Sequence, residues 1–182
     1  MSAGSKIRLG ISSCLLGEKV RYDGGHKLDR LLTERLGKHV EYVPVCPEVE
    51  CGMTVPREPM DLVGTGGSPR LMTRQSRIDM TRRMTRWARP RLNELAGEGL
   101  HGFIFKSRSP SCGMERVRVC NEGGDVIGSG PGLFASEFMR RFPRLPVEDE
   151  ERLREPELRR SFIERCRAAI DTIGQGRDNR GR

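Results

Sequence analysis

The chain has 182 residues and a mass of 20.5 kDa, the size of one compact domain with room for a small appendage. Its 33 Lys and Arg against 25 Asp and Glu give a net charge of +8, and 28 of those cations are Arg. No run approaches the ~20 apolar residues that span a bilayer, which excludes a membrane-spanning helix, and an aromatic content of 5% argues against a surface of stacked bases.

Met1 to Leu9 carries two cations but no apolar h-region, so a cytoplasmic protein is expected. Its six cysteines are then read as thiols or metal ligands rather than as a disulfide framework. Ile7 to Ser12 alternates through Ile7, Leu9 and Ile11 and predicts a strand, broken at the turn-prone Cys14-Leu-Leu-Gly17. His26 to Leu36 sets Leu28, Leu31, Leu32 and Leu36 at helical spacing, with Gly37 as a stop. Val40 to Val45 is a second, β-branched strand bounded by Pro47. Cys46 to Pro69 has no sustained period and many Pro and Gly, which predicts a long irregular loop of the kind that is functional or disordered.

Ile78 to Leu95 predicts a helix with Met80, Met84, Trp87, Ala88, Leu92 and Leu95 on one side and a kink at Pro90. Leu100 to Lys106 predicts a third strand, with Phe103, Ile104 and Phe105 buried on both faces as in a parallel sheet. Val117 to Val119 and Val126 to Ile127 predict a hairpin, and two helices follow over Leu133 to Arg141 and Glu155 to Ile173. Gly174 to Arg182 has no apolar side chain and is expected to be disordered. The expected organisation is a core over 1–132, a helical extension over 133–173 and a disordered tail over 174–182. Strands alternating with helices predict an α/β fold, a Rossmann-like three-layer domain around a parallel or mixed central sheet.

Ligands in such sheets collect at the carboxyl ends of the strands. Cys14, Cys46 and Cys112 each fall just after a predicted strand, in loops rich in Gly, Pro or Ser, so the three can converge on one sheet edge. Cys120 and Cys166 read as buried, inert thiols, and Cys46-x4-Cys51 alone is a weak iron–sulfur signal. No Cys-x-x-Cys occurs, and His26, His39 and His101 have no zinc spacing. On spacing alone, ordinary core cysteines remain the simpler reading, with an open metal site as the alternative.

The complete phrases change that balance. Ser12-Ser-Cys-Leu-Leu-Gly-Glu-Lys-Val-Arg-Tyr-Asp-Gly24, then Val43-Pro-Val-Cys-Pro-Glu48 with Pro56-Arg57, then Lys106 to Gly113 ending in Ser-Pro-Ser-Cys-Gly, occur in that order. Together they resemble the thiouracil desulfidase (TudS-like) family over roughly Lys6 to Gly132. The resemblance implies a 4Fe-4S cluster held by Cys14, Cys46 and Cys112 with one iron left open. It also implies catalytic roles for Glu48 and Ser109, and substrate contacts from Arg57 and Ser111. Asp23 is read either as a contact to the pyrimidine edge or as the carboxylate that organises its Asp-Gly turn. Phe142 to Leu153 and Arg159 to Arg165 resemble the joint by which longer relatives, similar to thiouridine desulfidases, attach a second domain; a polar tail follows here instead.

The implied chemistry is hydrolytic, without net electron transfer. An open iron suits a soft thiocarbonyl sulfur, Glu48 can take a proton from water, and sulfur leaves as hydrosulfide. The expected partner is a small thiolated pyrimidine, base or nucleoside, with a nucleotide or tRNA-derived fragment as a further class. Two rivals are an RNA-binding module with structural cysteines and an iron–sulfur electron-transfer protein. Low aromatic content opposes the first, and an open iron opposes the second. Arg70 to Arg91 is the densest cationic stretch, read as a solvated helix face or as a phosphate or RNA contact. Gly64-Thr-Gly-Gly67 reads as a flexible loop, and Glu148 to Glu151 as an acidic approach to the last helix.

Overall fold

The computed structural model describes residues 6–64 and 67–178. In chain order its elements are β1 (Ile7–Ser12), β2 (Val40–Val45), α1 (Pro47–Glu50), β3 (Met60–Val63), β4 (Arg70–Thr73) and α2 (Thr81–Gly97). Then come β5 (Gly102–Phe105), β6 (Val117–Cys120), β7 (Val126–Gly130), α3 (Leu133–Arg141), β8 (Val147–Asp149) and α4 (Pro156–Asp178). The first sheet is wholly parallel, in the order β2-β1-β5-β8. A second, mixed sheet runs β4-β3-β6-β7, with β3 and β6 parallel and the outer pairs antiparallel. The fold is α/β.

Alternation along the strands sorts the core into two halves. Ile7, Leu9, Ile11, Val40 and Ile104 pack with Leu32, Leu36, Leu153, Phe162 and Cys166 on one side of the parallel sheet. Val43, Val45, Phe103 and Phe105 face the other way, onto α2, α3 and the second sheet. Gly10 faces that second side, where the Phe103 ring covers it so closely that an added Cβ would stand 2.2 Å from a ring carbon. Glycine is therefore required in the middle of β1. Phe134, Ala135 and Phe138 of α3 join the same core, so the segment expected as an extension packs into it from its first turn.

The bounds of β1, β2 and α3 coincide with those expected, and the hairpin and third strand form where they were predicted. Other segments differ. Residues 26–36 are not one helix: Lys27 and Asp29 donate their N–H groups to Cys14 and Leu15 carbonyls, at 2.8 and 2.9 Å, which holds the chain extended. Helical geometry starts only after Asp29, whose carboxylate accepts the Leu32 N–H at 3.1 Å; a π-helical turn, Leu31–Arg35, and a 3-10 turn, Leu36–Lys38, follow. The expected irregular loop over 46–69 contains α1 and β3, elements of four residues each that are too short to establish a period between prolines. Pro90 lies inside α2, which continues to Gly97 because Met84, Ala88, Leu92 and Leu95 are buried on both sides of it. Helix α4 extends past Ile173 to Asp178, since adding a residue to a formed helix costs little. Residues 65 and 66 of the Gly64 loop, and 179–182 of the expected tail, lie outside the described residues.

Candidate functional site

The carboxyl ends of β1, β2 and β5 open onto one cavity of about 330 Å³. Ser12 and Val45 are register partners at the ends of β1 and β2, so the turn carrying Cys14 and the residue Cys46 emerge side by side. After β5, Lys106 donates its N–H to Ser12 Oγ at 2.9 Å and starts the loop that reaches Cys112. Cys14, Cys46 and Cys112 line the cavity together with Glu48, Arg57 and Ser109.

Each thiol-bearing segment is held independently. Glu50 turns back to accept the Cys46 N–H at 2.8 Å, and Arg91 of α2 pairs with Glu50 at 3.0 Å. The Cys112 loop is tied to the start of α3, where N–H groups lack helical partners. Gly132 donates to the Gly113 carbonyl at 2.7 Å, Leu133 to Pro110 at 2.9 Å and Ala135 to Ser111 at 3.0 Å. At the end of β8, Glu150 accepts from the Ser107 N–H and hydroxyl, both at 2.8 Å, and ion-pairs with Lys106. This corrects the reading of Glu148 to Glu151 as an acidic approach to a helix. Glu148, Asp149 and Glu150 are buried, and the carboxylates satisfy backbone N–H groups and cations inside the fold.

Glu48 sits where two of these segments meet. The Ser111 hydroxyl donates to one carboxylate oxygen, while the other lies 3.7 Å from Cys46 Sγ and 3.9 Å from Arg57 Nη2. Ser109 accepts the Ser111 and Cys112 N–H groups on its hydroxyl oxygen, at 3.3 and 3.1 Å, and lies 3.0 Å from Ser111 Oγ. The structure thus joins Ser109, Ser111 and Glu48 in one chain of hydrogen bonds. Ser111 is fully buried behind the cavity wall rather than lining it. Asp23 also stands outside the lining and accepts the Gly25 N–H at 3.0 Å, as a turn-organising carboxylate does. Arg57 is nearly buried on the cavity wall, and its inaccessible Nε has no hydrogen-bond partner among the described residues.

Sequence reasoning missed Ser12, Lys106 and Glu150. The first two belong to the quoted motifs, but what they do depends on strand pairing; Glu150 is visible only as a member of an acidic run.

Burial pushes the Cys14 thiol up to about 11 and Cys46 up to about 12, with Glu48 adding to both; it holds Cys112 well above the usual thiol value. Thiolates here need a compensating cation, which a bound metal supplies. Among the described residues no three His, Cys, Asp or Glu side chains are grouped for a single ion. An iron–sulfur cubane makes a different demand, because each iron takes its own cysteine and the thiols need only surround a shared space. Three soft donors on one cavity, with Lys106 and Arg57 beside them, fit that group.

A family model described as 2-thiouracil desulfurase matches residues 9–150. The chain is 33% identical over 150 residues to the uncharacterized protein YbbK of Bacillus subtilis (strain 168), covering 77% of this chain and 95% of that one. A solved structure of the [4Fe-4S]-dependent thiouracil desulfidase TudS superposes with a TM-score of 0.67 at 31% identity, covering 87% of this chain and 99% of its own.

Proposed function

This chain belongs to the 2-thiouracil desulfurase family, and on that premise we propose that it hydrolyses the carbon–sulfur bond of a thiolated pyrimidine base or nucleoside at a 4Fe-4S cluster. Cys14, Cys46 and Cys112 would hold the cluster. The observation that carries this reading is the position of Glu48, a buried carboxylate on the same cavity as all three thiols and in contact with Cys46.

When bound, the cluster supplies a soft Lewis acid for the thiocarbonyl sulfur at the iron that no cysteine holds. The protein supplies the rest. Glu48 accepts a proton from water as the water oxygen bonds to the carbon bearing sulfur. Ser111 holds the carboxylate in place, and Ser109 holds Ser111 through their shared hydrogen bond. Arg57, whose side chain lines the cavity, offers its guanidinium group to the remaining carbonyl oxygen of the ring. The carbon–sulfur bond then breaks with its electron pair on sulfur, which departs as hydrosulfide and leaves a carbonyl. The hydroxyl proton of the water-derived oxygen leaves with the sulfur, and Glu48 returns its proton to solvent. Thiocarbonyl and water thus become carbonyl, hydrosulfide and a proton, and no electron donor is consumed.

Six free cysteines suit a reducing compartment, and the cytoplasm is the location proposed. No helix among the described residues is long and apolar enough to cross a membrane.

The test is sulfide release from 2- and 4-thiouracil and the matching thiouridines by anaerobically prepared protein, run in oxygen-18 water without reductant. One sulfide and one labelled oxygen per product are expected. Iron-loaded protein that releases no sulfide from any of the four would overturn the proposal.

A further inference from the structure

The cavity does not end at the cluster ligands. Its wall includes Arg74 and Arg118, which also line an adjoining depression with Arg77 and Glu122. Glu122 lines the next depression with Arg70, and Arg70 in turn lines a last one beneath Arg82, Arg86 and Arg89 of α2. Successive depressions share residues, so they form a continuous track from the reaction cavity across the second sheet to the helix.

The charges along this track are unevenly matched. Arg74 is paired with Asp61 at 2.8 Å, while Arg70 and Arg77 both ion-pair with Glu122. At the far end Arg82, Arg86 and Arg89 are exposed and have no ion pair or hydrogen-bonded acid among the described residues. Arg82 and Arg86 are four residues apart and Arg86 and Arg89 three apart, the spacings at which like charges on a helix repel. Arg82 also occupies the first turn of α2, which has no acidic residue, at the end of the helix dipole that disfavours cations. This arrangement works against the stability of α2. Asp79, which lines the same depression, is taken up by the Thr81 N–H at 2.9 Å and by Arg70 at 3.9 Å, so an anion from outside the chain would relieve it. Over these residues the helix advances about 10 Å, so the three guanidinium groups present a row rather than a point.

A row of unpaired guanidinium groups joined by a groove to a pyrimidine cavity fits a strand of phosphates with one base in that cavity. We infer that this track binds single-stranded RNA, the phosphates lying along Arg82, Arg86 and Arg89 and the base entering through Arg74 and Arg118. The base's place rests on the desulfidase reading, whereas the contact to phosphate does not. A duplex would withhold its base edge from the cavity, which selects the single strand. The track has no aromatic side chain, so binding is led by phosphate, tolerant of sequence and sensitive to salt.

Fluorescence anisotropy of a labelled oligouridylate with the cluster-loaded protein, across a salt series, tests this inference. The triple variant Arg82→Ala, Arg86→Ala, Arg89→Ala should bind about tenfold or more weakly near 0.1 M salt, with a salt slope shallower by about 2 for three lost contacts. A charge-matched control, Arg30→Ala, Arg35→Ala, Lys38→Ala, removes exposed cations that line none of the track and should bind like the parent. Sulfide release from free thiouracil should be unchanged in the track variant, and its melting temperature should not fall. The inference is overturned by a parent that does not bind at low salt, by equal weakening in both triple variants, or by an undiminished track variant. Tighter binding to phosphatidylserine vesicles than to RNA would assign the row to a membrane surface and also overturn it. Track-dependent RNA binding in a protein that releases no sulfide would instead remove the desulfidase reading and leave the phosphate contact standing.

Discussion

Ser111 donates its hydroxyl proton to Glu48 across 63 residues of sequence, and this bond joins the loop of the second cysteine to the loop of the third. Both residues are buried, and each lies 3.7 Å from the neighbouring thiol, Glu48 from Cys46 and Ser111 from Cys112. The carboxylate is therefore aimed before any substrate arrives, by the same loops that carry the thiols. Preorganisation of this kind lets a base act without first being reoriented.

Replacement of Glu48 by Gln should separate catalysis from assembly. Gln keeps the shape of the side chain and can still accept from Ser111, but it cannot take a proton. A general base contributes about 10²–10⁴-fold, so kcat for sulfide release should drop by that factor at full iron content. Full turnover would remove Glu48 from the chemistry, and lost iron would make it an organiser of the loop after Cys46.

The two serines should behave differently. Ser111→Ala frees the Glu48 carboxylate and should lower kcat with little change in melting temperature beyond that of one lost buried hydrogen bond, about 1 kcal/mol. Ser109→Ala removes the acceptor for the Ser111 and Cys112 N–H groups. Leaving these donors unmet costs about 1–3 kcal/mol, so this variant should melt earlier and lose iron more readily. Equal effects on both kcat and melting would mean that the pair acts as one unit.

Much of the site is legible in the sequence because its landmarks are local. The period-2 pattern of Ile7, Leu9 and Ile11 fixes where β1 ends, and Cys14 follows within two residues. Val40 to Val45 places Cys46 in the same way. What escapes is what depends on pairing between distant segments. Glu150 reads as one carboxylate in an acidic run until β8 adds to the parallel sheet and brings it to Lys106 and Ser107. The second sheet is equally hidden, since β3 and β4 have four residues each and are recognisable only when paired. The helical spacing in His26 to Leu36 misleads because backbone hydrogen bonds to the Cys14 turn take up Lys27 and Asp29 first.

Substitution of each cysteine by Ala should divide the six into two groups. Cys14, Cys46 and Cys112 line the cavity, and each replacement should lose iron and activity together. Cys120 and Cys166 lie outside that cavity, and Cys166 is packed against Gly102 in the core. Their replacements should keep both, with the loss at Cys166 limited to about 1 kcal/mol for a small buried side chain. Cys51 donates to the Glu48 carbonyl at 3.3 Å but does not line the cavity, and its replacement should keep iron as well. Iron content measured on the same anaerobic preparations decides each case.

Acid should find a weak point at Glu150. Burial alone would raise its carboxyl, but the Lys106 hydrogen bond and charge, with the Ser107 N–H and hydroxyl, outweigh that and hold it below its ordinary value of 4.5. A carboxyl depressed in the folded state gives stability that is complete above its unfolded value and fades as pH falls through the folded one. Melting of the parent should therefore steepen its decline below about pH 4.5, and Glu150→Gln should flatten that part of the curve while lowering stability at pH 7. A variant with the same acid slope as the parent would show that the ion pair does not carry it.

Gly132 gives the sharpest test of how the third cysteine is held. It stands just before α3 with φ −64° and ψ 161°, a conformation that alanine adopts freely, so backbone strain does not enter. Space does. A Cβ there would lie 2.7 Å from the carbonyl carbon and oxygen of Ser111 and 2.8 Å from the Ser109 oxygen. These are backbone atoms of the loop that α3 holds through its first N–H groups, and they cannot swing aside as a side-chain tip would. Gly132→Ala should therefore push Ser109 to Cys112 away from the helix, at a cost of about 1–3 kcal/mol typical of overpacking. Iron content and melting temperature should fall together. Gly128→Ala is the matching control, because a Cβ on Gly128 meets nothing within 4 Å, and it should keep iron at or above the parent's stability. If Gly132→Ala held full iron and the parent's melting temperature, the close approach of α3 would not be what positions Cys112.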